Sequence, residues 1–129
     1  MLDETQARLT RLQAMRDAGI DPYPSTTQRT NTVEEFLNSF ETFFSSQQDL
    51  SLVGRIRLIR THGGLTFCQI QDGSGIVQIV IRKDHVGEVS YKQFLQMMDI
   101  GDFLQCTGKA FVTKKGEQSL DVFAYSPLA

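Results

Sequence analysis

Between Ser51 and Arg82 three apolar-rich runs are separated by two glycine turns, His62-Gly63-Gly64 and Asp72-Gly73-Ser74-Gly75. Glycine and Asx residues between β-rich runs mark hairpins. Side chains alternate between the two faces of a strand, so parity sorts the second and third runs. Cys68 and Ile70, with Val77, Ile79 and Ile81, fall on an inward face. Phe67, Gln69, Gln78 and Arg82 fall on the outward one. The first strand, Ser51 to Arg60, sets Leu52, Ile56 and Leu58 inward against Val53, Arg55, Arg57 and Ile59. Gly54 inside it is the expected site of a bend or bulge. A fourth strand runs from Phe103 to Val112, with Leu104, Cys106 and Ala110 inward. After a turn at Lys114-Lys115-Gly116-Glu117, a fifth runs from Ser119 to Tyr125, with Leu120, Val122 and Ala124 inward.

Elsewhere the apolar period is helical. Residues 3 to 18 read as a helix, with Asp3 and Gln6 as its cap, an apolar stripe of Ala7, Leu9, Leu12 and Met15, and Gly19 as its stop. Asp21-Pro22-Tyr23-Pro24 then forces an extended segment, because a residue before proline avoids the helical region. A second helix is expected from Val33 to Phe44, opened by a Thr32/Glu35 capping box. Its Val33, Phe36, Leu37, Phe40 and Phe44 lie at helical spacing and should face a core. Val86, Phe94, Leu95 and Met98 suit a short helix near Ser90 to Met98. The order is thus three strands, a helix, then two strands. That is the layout of a five-stranded OB-fold barrel, here with two N-terminal helices and one helix between strands 3 and 4. Residues 1–49 form an N-terminal helical extension packed on the barrel, and 50–129 form the barrel itself.

With 129 residues the chain holds one core. No apolar run approaches the ~18 residues of a membrane span. The start, MLDETQARL, carries acids and lacks an apolar stretch, so no signal peptide is expected. Cys68 and Cys106 sit in predicted strands without CxxC spacing and read as reduced, buried thiols. Both features fit a cytoplasmic protein. The formal charge is −2, but it is unevenly placed. Residues 1–50 hold four basic and eight acidic residues, and residues 51–129 hold nine basic and seven acidic. The barrel half can therefore attract phosphate weakly over a limited patch.

The outward face gives that patch its chemistry. The ligand surface of an OB-fold is the face of strands two and three, flanked by the first-to-second and fourth-to-fifth loops. Phe67 offers a flat ring, Gln78 a planar amide and Arg60 a guanidinium beside them, a combination that suits an unstacked nucleobase. His62 lies in the first loop, and Lys114, Lys115 and Glu117 lie in the last. No paired carboxylates, Ser/His/Asp set, metal cluster or phosphate loop is legible, so these residues are not expected to form an enzyme or to hold a cofactor or metal. Asp72-Gly73-Ser74-Gly75 lacks the lysine of a P-loop and reads as a hairpin turn. Two other functions fit the pattern. One is a single-strand-binding OB domain without base preference, which calls for more aromatics than Phe67 on the face. The other is a protein-interaction module using the Phe-rich helix, which requires that helix to expose its apolar side.

Several motifs together resemble one family. They are Arg8-Leu9-x-x-Leu12, Gly19-Ile20-Asp21-Pro22-Tyr23-Pro24, Val53-Gly54-Arg55-Ile56, Gln71-Asp72-Gly73-Ser74-Gly75, Val77-Gln78-Ile79, Arg82-Lys83-Asp84, Asp99-Ile100-Gly101-Asp102 and Thr113-Lys114-Lys115-Gly116-Glu117. In order and spacing they resemble the N-terminal anticodon-binding domain of class II lysyl-tRNA synthetases. Aspartyl- and asparaginyl-tRNA synthetases share the barrel. The DPYP segment, the helix before DIGD and the TKKGE turn favour the lysyl branch. The resemblance implies that Phe67 stacks the central anticodon uridine and that Gln78 and Arg60 hydrogen-bond its edge. It implies that Glu117 reads a neighbouring base. It also implies a tRNA partner, tRNA-Lys, and no membrane. The parent enzyme would be a homodimeric ATP-dependent lysine–tRNA ligase, with ATP and Mg in a catalytic domain outside these residues. Two positions depart from the pattern. Gly64 stands where the lysyl family often has a lysine, and Val80 where it often has an aromatic.

Overall fold

The computed structural model describes residues 29–128. The expected helix over 3–18 and the Asp21–Pro24 segment lie outside the described residues. Two short helices, α1 (Val33–Asn38) and α2 (Phe40–Ser46), lead into β1 (Leu50–His62), β2 (Leu65–Gln71) and β3 (Ile76–Arg82). A single turn, α3 (Lys83–Val86), and the longer α4 (Glu88–Met97) precede β4 (Phe103–Val112) and β5 (Gln118–Leu128). The strands close into a barrel in the order β1-β2-β3-β5-β4, with β1 also pairing β4. Every pair is antiparallel except β3–β5, the parallel contact that seals the barrel. The chain therefore has the OB-fold architecture that strand spacing implies.

The interior follows parity. Cys68 faces Ile79 and Ile70 faces Val77 across β2–β3, and all four are buried. Leu52, Ile56, Leu104, Cys106, Ala110, Leu120 and Val122 complete the barrel's lining. Burial pushes both the Cys68 and Cys106 thiols up to about 12, so they stay protonated and unreactive. They are free cysteines.

Two bulges change the parity expected from the sequence. In β1 the register slips between Ile56 and Leu58, so Arg57 is the extra residue. Beyond it Leu58 opposes Gln69 on the outer face, and Ile59 opposes Cys68 and packs on the core. The expected inward Leu58 is thus corrected, and the bulge lies at Arg57 rather than Gly54. Gly54 instead lets two strands approach: a Cβ there would sit 3.0 Å from the Ile70 Cβ. In β5 a second slip, opposite Thr107/Gly108, exposes Ala124 and turns Tyr125 inward against Cys106. A bulge adds one unpaired residue and so inverts every side chain after it.

The expected Val33–Phe44 helix is broken at Ser39 into α1 and α2. The Thr32/Glu35 capping box is present in full. Val33, Phe36 and Phe40 are buried, while Phe44 is 44% exposed and Phe43 packs against the core instead. Leu95, at 43% exposure, likewise leaves the core to Phe94, Met97 and Met98. The β2–β3 turn holds α1 from outside. Asp72 Oδ2 accepts from the Val33 amide at 2.9 Å, and Ser74 Oγ accepts from the Glu34 amide at 3.0 Å. Burial alone would raise the Asp72 carboxyl, but hydrogen bonds from Ser74 Oγ and the Val33, Ser74 and Gly75 amides outweigh it and hold the group below its ordinary value. Among the described residues no helix is long and apolar enough to cross a membrane.

Candidate nucleic-acid interface

Strand pairing lays the outer face of the barrel out in rows. One row crosses the sheet as Leu58, Gln69, Gln78, Ser119 and Phe111. The next runs Arg60, Phe67, Val80, Asp121 and Lys109. A third begins His62, Leu65 and Arg82. Leu58, Gln69, Gln78 and Phe111 of the first row, Arg60 and Phe67 of the second and the whole third row line a cleft of about 740 Å³, walled on one side by the β4–β5 turn. Arg60, His62, Phe67, Gln78, Lys114, Lys115 and Glu117 all line it. Residues 57 positions apart in sequence, from Arg60 to Glu117, thus meet because the barrel closes through β3–β5.

Arg60 is exposed and lies directly opposite Phe67 on the β1–β2 ladder. The His62 ring meets Phe67 edge-on, with centroids 6.3 Å apart. His62 in turn depends on a buried hydroxyl chain. Thr66 Oγ1 and the Tyr91 hydroxyl are 2.8 Å apart, and that hydroxyl donates to the Gly63 carbonyl at 3.1 Å. Helix α4 therefore pins the two-residue turn in which Gly63 takes φ 61°. Gln78 Nε2 donates to Ser119 Oγ at 3.1 Å, and Ser119 Oγ donates to the Glu117 carbonyl at 3.3 Å. One amide N–H is occupied in this way. Gln78 Oε1 and its second N–H keep an acceptor and a donor free.

The β4–β5 turn is closed by its own backbone. The Thr113 amide donates to the Glu117 carbonyl at 3.0 Å and the Gly116 amide to the Thr113 carbonyl at 2.8 Å. The Lys114, Lys115 and Glu117 side chains are exposed above the cleft. Among the lining residues, Arg60, Arg82, Lys114 and Lys115 oppose a single carboxylate, Glu117. The cleft is positive on a chain whose formal charge is −2.

Sequence reasoning missed three contributors. Phe111 joins the cleft beside Gln78's row, a place that parity from the inward Ala110 already allows. Leu58 arrives only through the β1 bulge. Arg82 was placed on the outward face, but its course was not: the guanidinium lies 4.8 Å from the Phe111 ring centroid. The departure at Val80 also changes meaning. Val80 is fully buried between Phe67 and Asp121 on the outer face, so it offers no surface to a base. At Gly64 an added Cβ would lie 3.4 Å from the Lys83 Cβ, so Lys83 flanks that position. His85, without a legible partner in the sequence, lies with Nδ1 3.1 Å from Asp121 Oδ1.

Residues 50–128 match the tRNA anticodon family model, described as an OB-fold nucleic acid binding domain. The chain belongs to that family. Its curated relatives include a lysine–tRNA ligase of Carboxydothermus hydrogenoformans, 38% identical over 124 residues, which cover 96% of this chain and 25% of the relative. The lysine–tRNA ligase of Methanoculleus marisnigri is 36% identical over 113 residues, 86% of this chain and 22% of that protein. Lysine–tRNA ligase 2 of Methanosarcina acetivorans is 34% identical over 125 residues, 95% of this chain and 24% of that protein. The chain spans about a quarter of the length of these relatives. Of the Phe-rich helices, Phe36 and Phe40 are buried in the core, Phe43 is partly buried against it and Phe44 is 44% exposed.

Proposed function

We propose that this OB domain reads the anticodon of a tRNA, that of lysine, as one part of a lysine–tRNA ligase. The observation that carries the reading is the convergence of Phe67, Gln78, Arg60 and Glu117 on one positive cleft. A uridine stacks on Phe67 while its edge meets Gln78 and Arg60. Uracil presents acceptor oxygens and an N3–H donor. Gln78 Oε1 accepts from N3–H, its second N–H donates to a carbonyl oxygen, and Arg60 donates only. Cytosine replaces the N3 donor with an acceptor and O4 with an amino group. Rotation of the Gln78 amide could answer part of that change, but it would give up the hydrogen bond to Ser119. Arg60 cannot become an acceptor, and a buried donor left unpaired costs ~1–3 kcal/mol.

Binding titrations with the four central-base variants of an anticodon stem-loop test the reading. A central U-to-C change should weaken binding roughly ten- to a hundred-fold. Arg60→Ala should narrow that gap, and Gln78→Ala should weaken uridine binding most. Equal affinity for all four bases within about two-fold would favour an OB domain without base preference. Phe111, the second aromatic that such a domain needs, is covered by Arg82 rather than open to a base. Glu117 reads a flanking base from the turn, because a carboxylate accepts from base N–H groups and repels phosphate. Activation of lysine with ATP and Mg belongs to the rest of the longer parent, a cytoplasmic homodimer. The purified domain alone should form no lysyl-adenylate, and detectable adenylate would overturn that assignment.

A further inference from the structure

Arg82 is built differently from the other cations of the cleft. Arg60, Lys114 and Lys115 are exposed, whereas the Arg82 side chain is only 34% exposed. Its stem starts in the third row of the outer face and runs back to the first, where the guanidinium lies over Phe111 at 4.8 Å. Its Nε is buried without a hydrogen bond, 3.6 Å from Asp121 Oδ1. That oxygen is shared with His85 Nδ1 at 3.1 Å. Among the described residues neither Nη is paired with an acceptor or buried without one as Nε is, and Arg82 is one of the residues lining the cleft. A guanidinium stacked on a ring and tethered at one edge has lost most of its freedom before any ligand arrives. What remains is a planar fork of N–H donors, the geometry that matches a phosphate bidentately.

We propose that Arg82, laid over Phe111 and tethered by Asp121, grips a phosphate of the RNA strand next to the base stacked on Phe67. The proposal rests on the RNA reading above. Arg82 is the diagonal neighbour of Phe67 across β2–β3, because Phe67 opposes Val80 and Leu65 opposes Arg82. Diagonal neighbours stand ~7–8 Å apart. The base and the phosphate contact therefore sit side by side on one face. Lys114 and Lys115 across the cleft add to the attraction, while the Asp121 carboxylate, 19% exposed, lies beneath the guanidinium and opposes it only partly. A phosphate contact positions the strand without reading sequence. It thus complements Gln78 and Arg60.

Titrations of wild type and Arg82→Gln against the four stem-loops, each over a range of salt, decide the matter. Arg82→Gln should weaken all four alike, about ten-fold at low salt. It should reduce the slope of log affinity against log salt by about 0.7, the value for one phosphate on a single strand. Arg82→Lys keeps the charge and should keep most of the slope while losing affinity. In wild type, replacing loop phosphates one at a time by neutral methylphosphonate should find one position that reproduces the loss and adds nothing in Arg82→Gln. An unchanged slope with a lowered melting temperature would make Arg82 a structural tie only. A loss confined to one central base would make it a base reader, and either result overturns the proposal. If wild type binds all four stem-loops equally, base reading fails while the salt slope still decides Arg82. No binding to any of them overturns both.

Discussion

At the scale of single residues, the proposed base reading rests on Phe67 and Gln78. Phe67 is half-buried, with His62 against its edge and Arg60 opposite, so its free face points to the cleft. Phe67→Ala should cost ~1–3 kcal/mol of stem-loop binding, the worth of one base–aromatic stack. Its melting temperature should stay close to that of wild type, since the ring packs on the outer face and not in the core cluster. Titration and a thermal melt check both halves; an unfolded variant would place Phe67 in the core and shift the strand register by one. Gln78 was legible from parity as an outward amide. Its orientation was not, because that depends on Ser119, 41 residues away, arriving beside it through the parallel β3–β5 pair. Arg82 makes the same point more strongly. Its number in the chain places it on the outer face, but only the fold brings Phe111 and Asp121 under it.

Elements are tied to one another by turns rather than by their own propensity. Helices of six and seven residues are too short to hold alone. Asp72 in the β2–β3 turn supplies α1 with an acceptor from outside the helix, and its charge favours the helix N-terminus. Asp72→Ala should destabilise the domain by about 1–2 kcal/mol, the scale of a lost cap. The native carboxyl is held below its ordinary value, so its contribution is present above the unfolded pKa of about 3.9. That contribution is lost as pH falls through the lower native value. Denaturant melts should therefore show a gap between wild type and Asp72→Ala that is full at neutral pH and closes in acid below about 4. A gap independent of pH would mean that only the shape of the turn matters. The Thr32/Glu35 box was readable because capping is local. The break at Ser39 was not, because Val33, Phe36 and Phe40 keep a helical spacing on both sides of it.

The whole molecule depends on the closeness of β4 and β5 at the second bulge. A Cβ added at Gly108 would meet the Asp121 carbonyl oxygen and the Val122 Cα. Backbone, not a flexible side-chain end, occupies that space, so the strands would have to part. Gly108→Ala should cost ~1–3 kcal/mol of stability, as overpacking does. It should also weaken stem-loop binding, because Asp121 and Ser119 on β5 hold Arg82 and Gln78. A melt together with a titration measures both, and an unchanged melting temperature would count against this close approach.

Read alone, the sequence determined the strand order, the hairpin turns, the inward set on β2 and β3 and the cation-rich outer face. Those features follow from a period of two and from turn chemistry, which act over a few residues. The cleft's seven expected residues were recognisable as candidates from outward parity, from the loop positions of the OB layout and from the family resemblance. Only the tertiary structure decided which side Leu58, Ile59, Ala124 and Tyr125 face, since a bulge is chosen by the partner strand and leaves no mark in the local pattern. It alone decided that Val80 is covered, that Gln78 is oriented by Ser119 and that Arg82 lies on Phe111. Each of those outcomes needs the parallel β3–β5 contact, which joins segments about 40 residues apart and is fixed only when the barrel closes.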